Sequence, residues 1–197
     1  MKITIAQINP TVGDIGGNLQ KILNVINTHK KESDIIVFPE MITTGYPPQD
    51  LLFESNFISS VELCLSEIKN SVNQCTVVLG TIREEKGSLY NTAAIIHPSA
   101  QIEFRDKTLL PTYDVFDEVR YFTSAAFNEP VNVVISGKSY LIGVQICEDL
   151  WDDAYSQKVT SELVAQGAQI IINISASPFS VDRIYERINT VIEKVNL

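Results

Sequence analysis

Tyr140-Leu141-Ile142-Gly143-Val144-Gln145-Ile146-Cys147-Glu148-Asp149 is the stretch on which the reading of this chain turns. The apolar run from Tyr140 to Ile146 has the length of a strand, and it delivers one cysteine onto two acids. A cysteine that only packs belongs inside such a run rather than at its rim. Strand ends are where α/β proteins display reactive groups, so Cys147 is a candidate nucleophile.

The same pattern recurs outward from that point. Val131 to Ile135 and Lys138 to Ile146 read as a hairpin through Ser136-Gly137, and Ile170 to Ile174 as a further buried strand. Toward the amino terminus, Lys2 to Ile8 and Asp34 to Phe38 read as strands, the second apolar enough to be buried on both faces. Thr76 to Ile82 is another strand, followed by a polar turn from Arg83 to Ser88. Asn91 to His97 and Gln101 to Arg105 form a hairpin across Pro98-Ser99-Ala100. Helical spacing appears in Leu19, Ile22, Leu23 and Ile26, in Phe57, Val61, Leu65 and Ile68, in Val159, Leu163 and Val164, and in Ile184, Ile188, Val191 and Ile192. Lys107 to Glu129 has little periodicity and many aromatics, the pattern of an ordered functional loop. Hairpins interleaved with helices indicate a layered α/β domain rather than a simple parallel sheet.

Composition bounds the function. A chain of 197 residues with 45% hydrophobic and 20% charged residues can bury one sizeable core. A net charge of -9 argues against nucleic-acid and anionic-membrane partners, both of which reward basic patches. The longest apolar runs are strand-sized, so no membrane span is expected, and Met1 to Ala6 reads directly as a strand without a basic leader. Cys64, Cys75 and Cys147 have no C-x-x-C spacing, which fits a reducing cytoplasm. His29 and His97 lie far apart with no cysteine nearby, so no metal site is expected.

A thiol near its ordinary pKa of ~8.5 is mostly protonated at neutral pH and needs a base. His29 ends a polar helix and His97 ends a hairpin strand, which are poor settings for that role. If Cys147 is catalytic, a carboxylate must therefore do the work. Glu40 follows Ile35-Ile36-Val37-Phe38-Pro39 at a strand end, with an apolar wall behind it. Burial makes a carboxylate a competent proton shuttle near neutrality. Lys107 follows Phe104-Arg105-Asp106 at another strand end, where an ammonium would stabilise a thiolate and a developing oxyanion. Taken singly, Glu40 reads as a loop acid and Lys107 as a surface lysine; their shared placement with Cys147 at strand ends favours a common site.

Phe38-Pro39-Glu40, Arg105-Asp106-Lys107-Thr108-Leu109-Leu110-Pro111 and Gly143 to Asp149 resemble the nitrilase superfamily of carbon-nitrogen hydrolases, which carries a Glu-Lys-Cys triad in this order. Glu40 to Leu52, Tyr113 to Phe122 and Asn173-Ile174-Ser175-Ala176-Ser177-Pro178-Phe179 are similar to one branch, the glutaminase domains of glutamine-dependent NAD synthetases. The resemblance runs from the amino terminus to about Arg187. It implies an α-β-β-α sandwich with Cys147 as nucleophile, Glu40 as general base and Lys107, with the Glu148 backbone N–H, holding the tetrahedral intermediate. Glu118 would be the auxiliary acid, and Tyr113, Glu148 and Ser175 or Ser177 would grip the amino-acid head of glutamine.

The resemblance also implies what this sequence does not hold. Domains of this kind close their sandwich with strands beyond the helix ending near Val195, so residues 1–197 read as a domain truncated at its carboxyl end. The ligase domain of the branch carries a Ser-Gly-Gly-x-Asp-Ser pyrophosphate loop, which is absent from this sequence. ATP and magnesium belong to that separate domain, and no cofactor is expected in this one. The expected partners are glutamine, a synthetase domain of the same full-length chain, and further copies in a homo-oligomer. Two rival readings stand beside this one: a nitrilase-branch amidase acting on a different small amide, and a non-catalytic interaction module in which Cys147 is a buried structural thiol.

Overall fold

The computed structural model describes residues 1–181 and 183–195; Asp182 and the closing Asn196-Leu197 pair lie outside the described residues. Five strands form the first sheet in sequence order: β1 (Ile3–Ile5), β2 (Ile35–Val37), β3 (Thr76–Glu85), β4 (Ser88–Ile96) and β5 (Ile102–Asp106). The first three run parallel, and β3, β4 and β5 pair antiparallel. The second sheet holds β6 (Val131–Ile135), β7 (Lys138–Ile146) and β8 (Ile170–Ile174); β6 is antiparallel to β7, and β8 is parallel to it. The helices are α1 (Ile15–His29), α2 (Ser55–Ser71), α3 (Val159–Ala165) and α4 (Arg183–Val195).

Alternation along each strand builds the layers. Ile36, Val77, Leu79, Ala94 and Ile96 face α1 and α2 and pack with Ile22, Ile26, Leu65 and Ile68. Their neighbours Ile35, Val37, Val78, Ala93 and Ile95 point the other way, onto Val133, Ile142, Val144, Ile146 and Ile172 of the second sheet. On the far side, Leu163 of α3 packs near Ile171 of β8. The expected α-β-β-α sandwich is the observed one. α1 begins where the Asp14 side chain accepts from the Gly17 N–H at 2.9 Å.

Three details depart from the sequence reading. β1 is shorter than Lys2 to Ile8: Ala6 N–H still donates to Val37 O at 2.8 Å, but Ile8 N–H turns back to Ala6 O at 3.0 Å and takes the chain off the sheet. The turn expected from Arg83 to Ser88 is only Lys86-Gly87, with φ of 54° and 79°, the positive-φ pair that matches the twist of a hairpin. The third departure concerns α4. Its period is right, but its apolar residues Ile184, Ile188 and Ile192 are exposed, while Arg183, Arg187 and Lys194 are half-buried and Thr190 is buried. The inner face is held by polar contacts: Arg183 lies over the Trp151 ring, and Lys194 donates to Asp152 and Asp153.

The Lys107 to Glu129 segment is ordered as expected. Ala125 N–H donates to Lys107 O at 3.0 Å, and Thr123 N–H donates to Leu89 O at 2.8 Å, which folds the loop back on its own origin. No helix among the described residues is long and apolar enough to cross a membrane.

Ile95, 1% exposed, lies between the sheets, whereas Val134 is 63% exposed. Ile95→Ala is expected to lower the unfolding free energy by about 2–5 kcal/mol, and Val134→Ala by no more than about 0.5 kcal/mol, in urea titrations.

Candidate active site

β2, β5, β7 and β8 all end on the same side of the sandwich, and the side chains singled out by sequence follow those ends. Glu40 and Lys107 are each 1% exposed, which rules out the loop-acid and surface-lysine readings. Lys107 Nζ donates to Glu40 Oε1 at 2.8 Å and to Glu118 Oε1 at 2.7 Å. Glu118 is itself buried, and Tyr46 Oη donates to its Oε1 at 2.9 Å. The acid expected in an auxiliary role thus completes a carboxylate–ammonium–carboxylate group.

Burial and neighbouring charges act together on Lys107 and Glu118. Burial works to lower the Lys107 pKa, but the carboxylates of Glu40 and Glu118 and the Cys147 sulfur hold it well above the ordinary lysine value. Burial raises Glu118, opposed by Lys107 and reinforced by the charge on Glu40.

Glu40 sits on a sharp turn. Met41, directly after it, has φ of 47°. The turn presses on β3 at Gly80, whose N–H donates to Pro39 O at 3.0 Å. A Cβ at Gly80 would stand 2.3 Å from Met41 N and 2.4 Å from Glu40 Cα, so glycine is required for close approach. The other Glu40 oxygen accepts from Ala176 N–H at 2.9 Å, which ties the carboxylate to the loop after β8.

Cys147 occupies a second sharp turn, with φ of 47°, where β7 passes straight into a 3₁₀ turn over Cys147–Leu150. Its sulfur lies 3.4 Å from Ser177 Oγ, and Ser177 is 2.9 Å from Ser175 Oγ. Burial, then the charge of Glu40, pushes the Cys147 thiol up to about 11, against the opposing pull of Lys107 and the serines. The thiol is therefore neutral at pH 7 in the resting site, and attack by sulfur requires a base to take its proton.

Asp149 joins the cysteine turn to the lysine segment. Its Oδ1 accepts from Thr108 N–H at 3.1 Å and Leu109 N–H at 2.8 Å, and its Oδ2 accepts from Ile146 N–H at 2.9 Å. Complete burial nonetheless pushes its carboxyl up to about 7.

Beside the cysteine, Glu148 accepts from Tyr113 Oη at 2.8 Å and from Tyr155 Oη at 3.0 Å. These three residues, with Trp151, Ala154 and Arg183, line a cleft of about 340 Å³. An acid and a guanidinium facing one small cleft match the two charged ends of an amino acid. All eight residues singled out by sequence thus fall in one region. His29 and His97 do not; they pair with Glu32 and Glu103 on the surface side of the fold. Sequence reading missed Tyr46, Asn91, Asp149, Tyr155 and Arg183. Asp149 follows the nucleophile by two residues and Tyr46 lies within the Glu40 to Leu52 stretch, which were usable signals, but Asn91, Tyr155 and Arg183 have no pattern of their own.

The chain matches the carbon-nitrogen hydrolase family model over residues 2–189, and it belongs to that family. Within it, the sequence is 36% identical over 184 residues to the glutamine-dependent NAD(+) synthetase of Aquifex aeolicus, covering 93% of this chain and 31% of that protein. It is also 36% identical over 201 residues to the synthetase of Synechocystis sp., covering 94% and 35%. The chain spans about a third of the length of the curated relatives it matches. Among solved structures, it overlays the glutamine-dependent NAD+ synthetase of Acinetobacter baumannii, in complex with adenosine diphosphate, with a TM-score of 0.83 and 30% identity, covering 98% of this chain and 35% of that one. An amidase from Nesterenkonia sp. shares the fold, with a TM-score of 0.78 at 16% identity, over 93% of this chain and 68% of that one.

Two substitutions probe the scaffold of the site. Gly80→Ala is expected to displace Glu40 and lower the rate of Cys147 alkylation, measured by mass spectrometry on the folded protein. Asp149→Asn keeps the shape but turns an amide toward a backbone N–H. A carboxyl raised in the folded state loses its stabilising contribution as pH climbs from its unfolded value of about 4 to about 7. The stability difference, wild type minus Asp149→Asn, is therefore expected to shrink across that window in thermal melts taken at successive pH values.

Proposed function

We propose that this domain hydrolyses the side-chain amide of glutamine and releases ammonia, through a thioester on Cys147. The observation that carries the reading is the buried Glu40–Lys107–Glu118 group at the strand ends beside Cys147, whose neighbour Glu148 lines a cleft together with Arg183. The family and its 36%-identical relatives support it.

Glu40 takes the proton from the Cys147 thiol as sulfur attacks the amide carbon. The carbonyl oxygen becomes an oxyanion, stabilised by Lys107 and the Glu148 backbone N–H. The C–N bond breaks, Glu40 returns the proton to nitrogen, and ammonia leaves. Glu40 then takes a proton from water, hydroxide adds to the thioester, the C–S bond breaks, and the proton returns to sulfur. Glu118 holds the far side of Lys107 throughout. Glu148, fixed by Tyr113 and Tyr155, receives the substrate ammonium; Arg183 receives the carboxylate, with Ser175 and Ser177 as hydroxyl donors near the sulfur.

In the full-length protein the ammonia would serve an ATP- and magnesium-dependent synthetase domain, which would convert deamido-NAD to NAD. The relatives, about three times the length of this chain, support such a linked domain. The three free cysteines fit a reducing, cytoplasmic setting, and the protein is proposed to work as a homo-oligomer.

A γ-diazoketone analogue of glutamine is expected to add its mass less dinitrogen to Cys147, and Cys147→Ala to abolish both labelling and ammonia release. Glu40→Gln is expected to lower kcat by roughly 10²–10⁴-fold. Equal turnover of glutamine and propionamide would overturn the amino-acid specificity.

A further inference from the structure

Asn91 touches Glu40, Glu118 and Lys107, yet it reacts with nothing. It is the fourth residue of β4, the strand that enters the sheet from the site's side, and it is 1% exposed. Its Nδ2 donates to Glu40 Oε1 at 2.8 Å and to Glu118 Oε2 at 3.3 Å. Its backbone oxygen accepts from Lys107 N–H at 2.8 Å, which sets the height at which the lysine leaves β5.

The arrangement carries a penalty that packing alone does not explain. Among the described residues, the buried Asn91 Oδ1 has no hydrogen-bond partner, and an orphaned acceptor of this kind is destabilising. Flipping the amide brings no relief, because it would set Oδ1 against two carboxylate oxygens. The amide is thus held in the one orientation that serves Glu40 and Glu118.

Charge explains why the donor is an amide. The groups facing this point are Glu40, Glu118, Lys107, Tyr46 and Cys147. Two carboxylates share one ammonium. A second cation at position 91 would neutralise the pair and make both carboxylates poor proton acceptors; an apolar residue would leave them unclamped and mutually repelling. A neutral donor clamps without neutralising.

We propose that Asn91 is a positioning residue for this site: its amide fixes Glu40 and Glu118 on either side of Lys107 and keeps the group one positive charge short, so that Glu40 remains able to take the thiol proton. The inference rests on the glutaminase reading for its substrate, but not for its geometry.

The test compares wild type, Asn91→Ala and Asn91→Asp in the intact protein. One readout is glutamine hydrolysis across pH; the other is the rate of Cys147 alkylation by iodoacetamide across pH, which needs no substrate. Thermal melts confirm that each variant is folded. Asn91→Ala is expected to lower kcat at least about tenfold while KM stays within about twofold, the mark of a group that acts on the transition state. Asn91→Asp adds a third carboxylate. It is expected to move the acid limb of kcat/KM and the alkylation profile upward by about one pH unit. Alkylation profiles of both variants that superimpose on wild type overturn the inference, whatever substrate the site takes. So does a loss confined to melting temperature. A wild type that alkylates normally but leaves glutamine intact overturns the glutaminase reading alone.

Discussion

A lysine ammonium buried between two carboxylates is the constraint on which this structure depends. Removing Lys107, Glu40 and Glu118 from water costs several kcal/mol for each charge, and that cost is offset only when all three meet with good geometry. Glu40 arrives from the end of β2, Lys107 from the end of β5, and Glu118 from the middle of a long loop. Any segment out of register leaves a charge buried and alone. The face-to-face sandwich, with its interdigitated Ile35, Ile95, Ile142 and Val144, supplies the rigidity that such precision requires.

The chemistry follows from where the charges stop. The cluster holds a cation close enough to influence the cysteine, but burial and the neighbouring carboxylate outweigh it, and the thiol stays neutral at rest. This is a different design from a preformed thiolate–imidazolium pair. The proton has to move as the sulfur attacks, so the position of Glu40 matters more than the acidity of the cysteine. Two left-handed residues, Met41 and Cys147, show how tightly the chain is folded to set those positions. Asp149 binds the two halves by accepting N–H groups from both.

α4 extends the site in another direction. Its polar face grips the segment after the cysteine, through Arg183 on Trp151 and Lys194 on Asp152, and leaves Ile184, Ile188 and Ile192 outward. Arg183 thereby reaches the cleft beside Glu148, although nothing in its own neighbourhood marks it for that place.

Local pattern alone specified much of this molecule. Apolar runs, alternation and period-3.6 spacing located the eight strands and four α-helices of the described residues, because burial must be written into the residues that are buried. It also placed Glu40, Lys107 and Cys147 at strand ends, where backbone pairing stops and side chains become available. It did not specify partners. Asn91 sits inside a strand, Tyr46 in a Pro-rich loop and Arg183 at a helix start, and each acts through a contact across many residues. The facing of α4 was also beyond reach, since its period is the same whichever side it buries. Periodicity is a property of neighbours along the chain. The charge balance around Lys107 is a property of neighbours in space, and only the folded structure decides it.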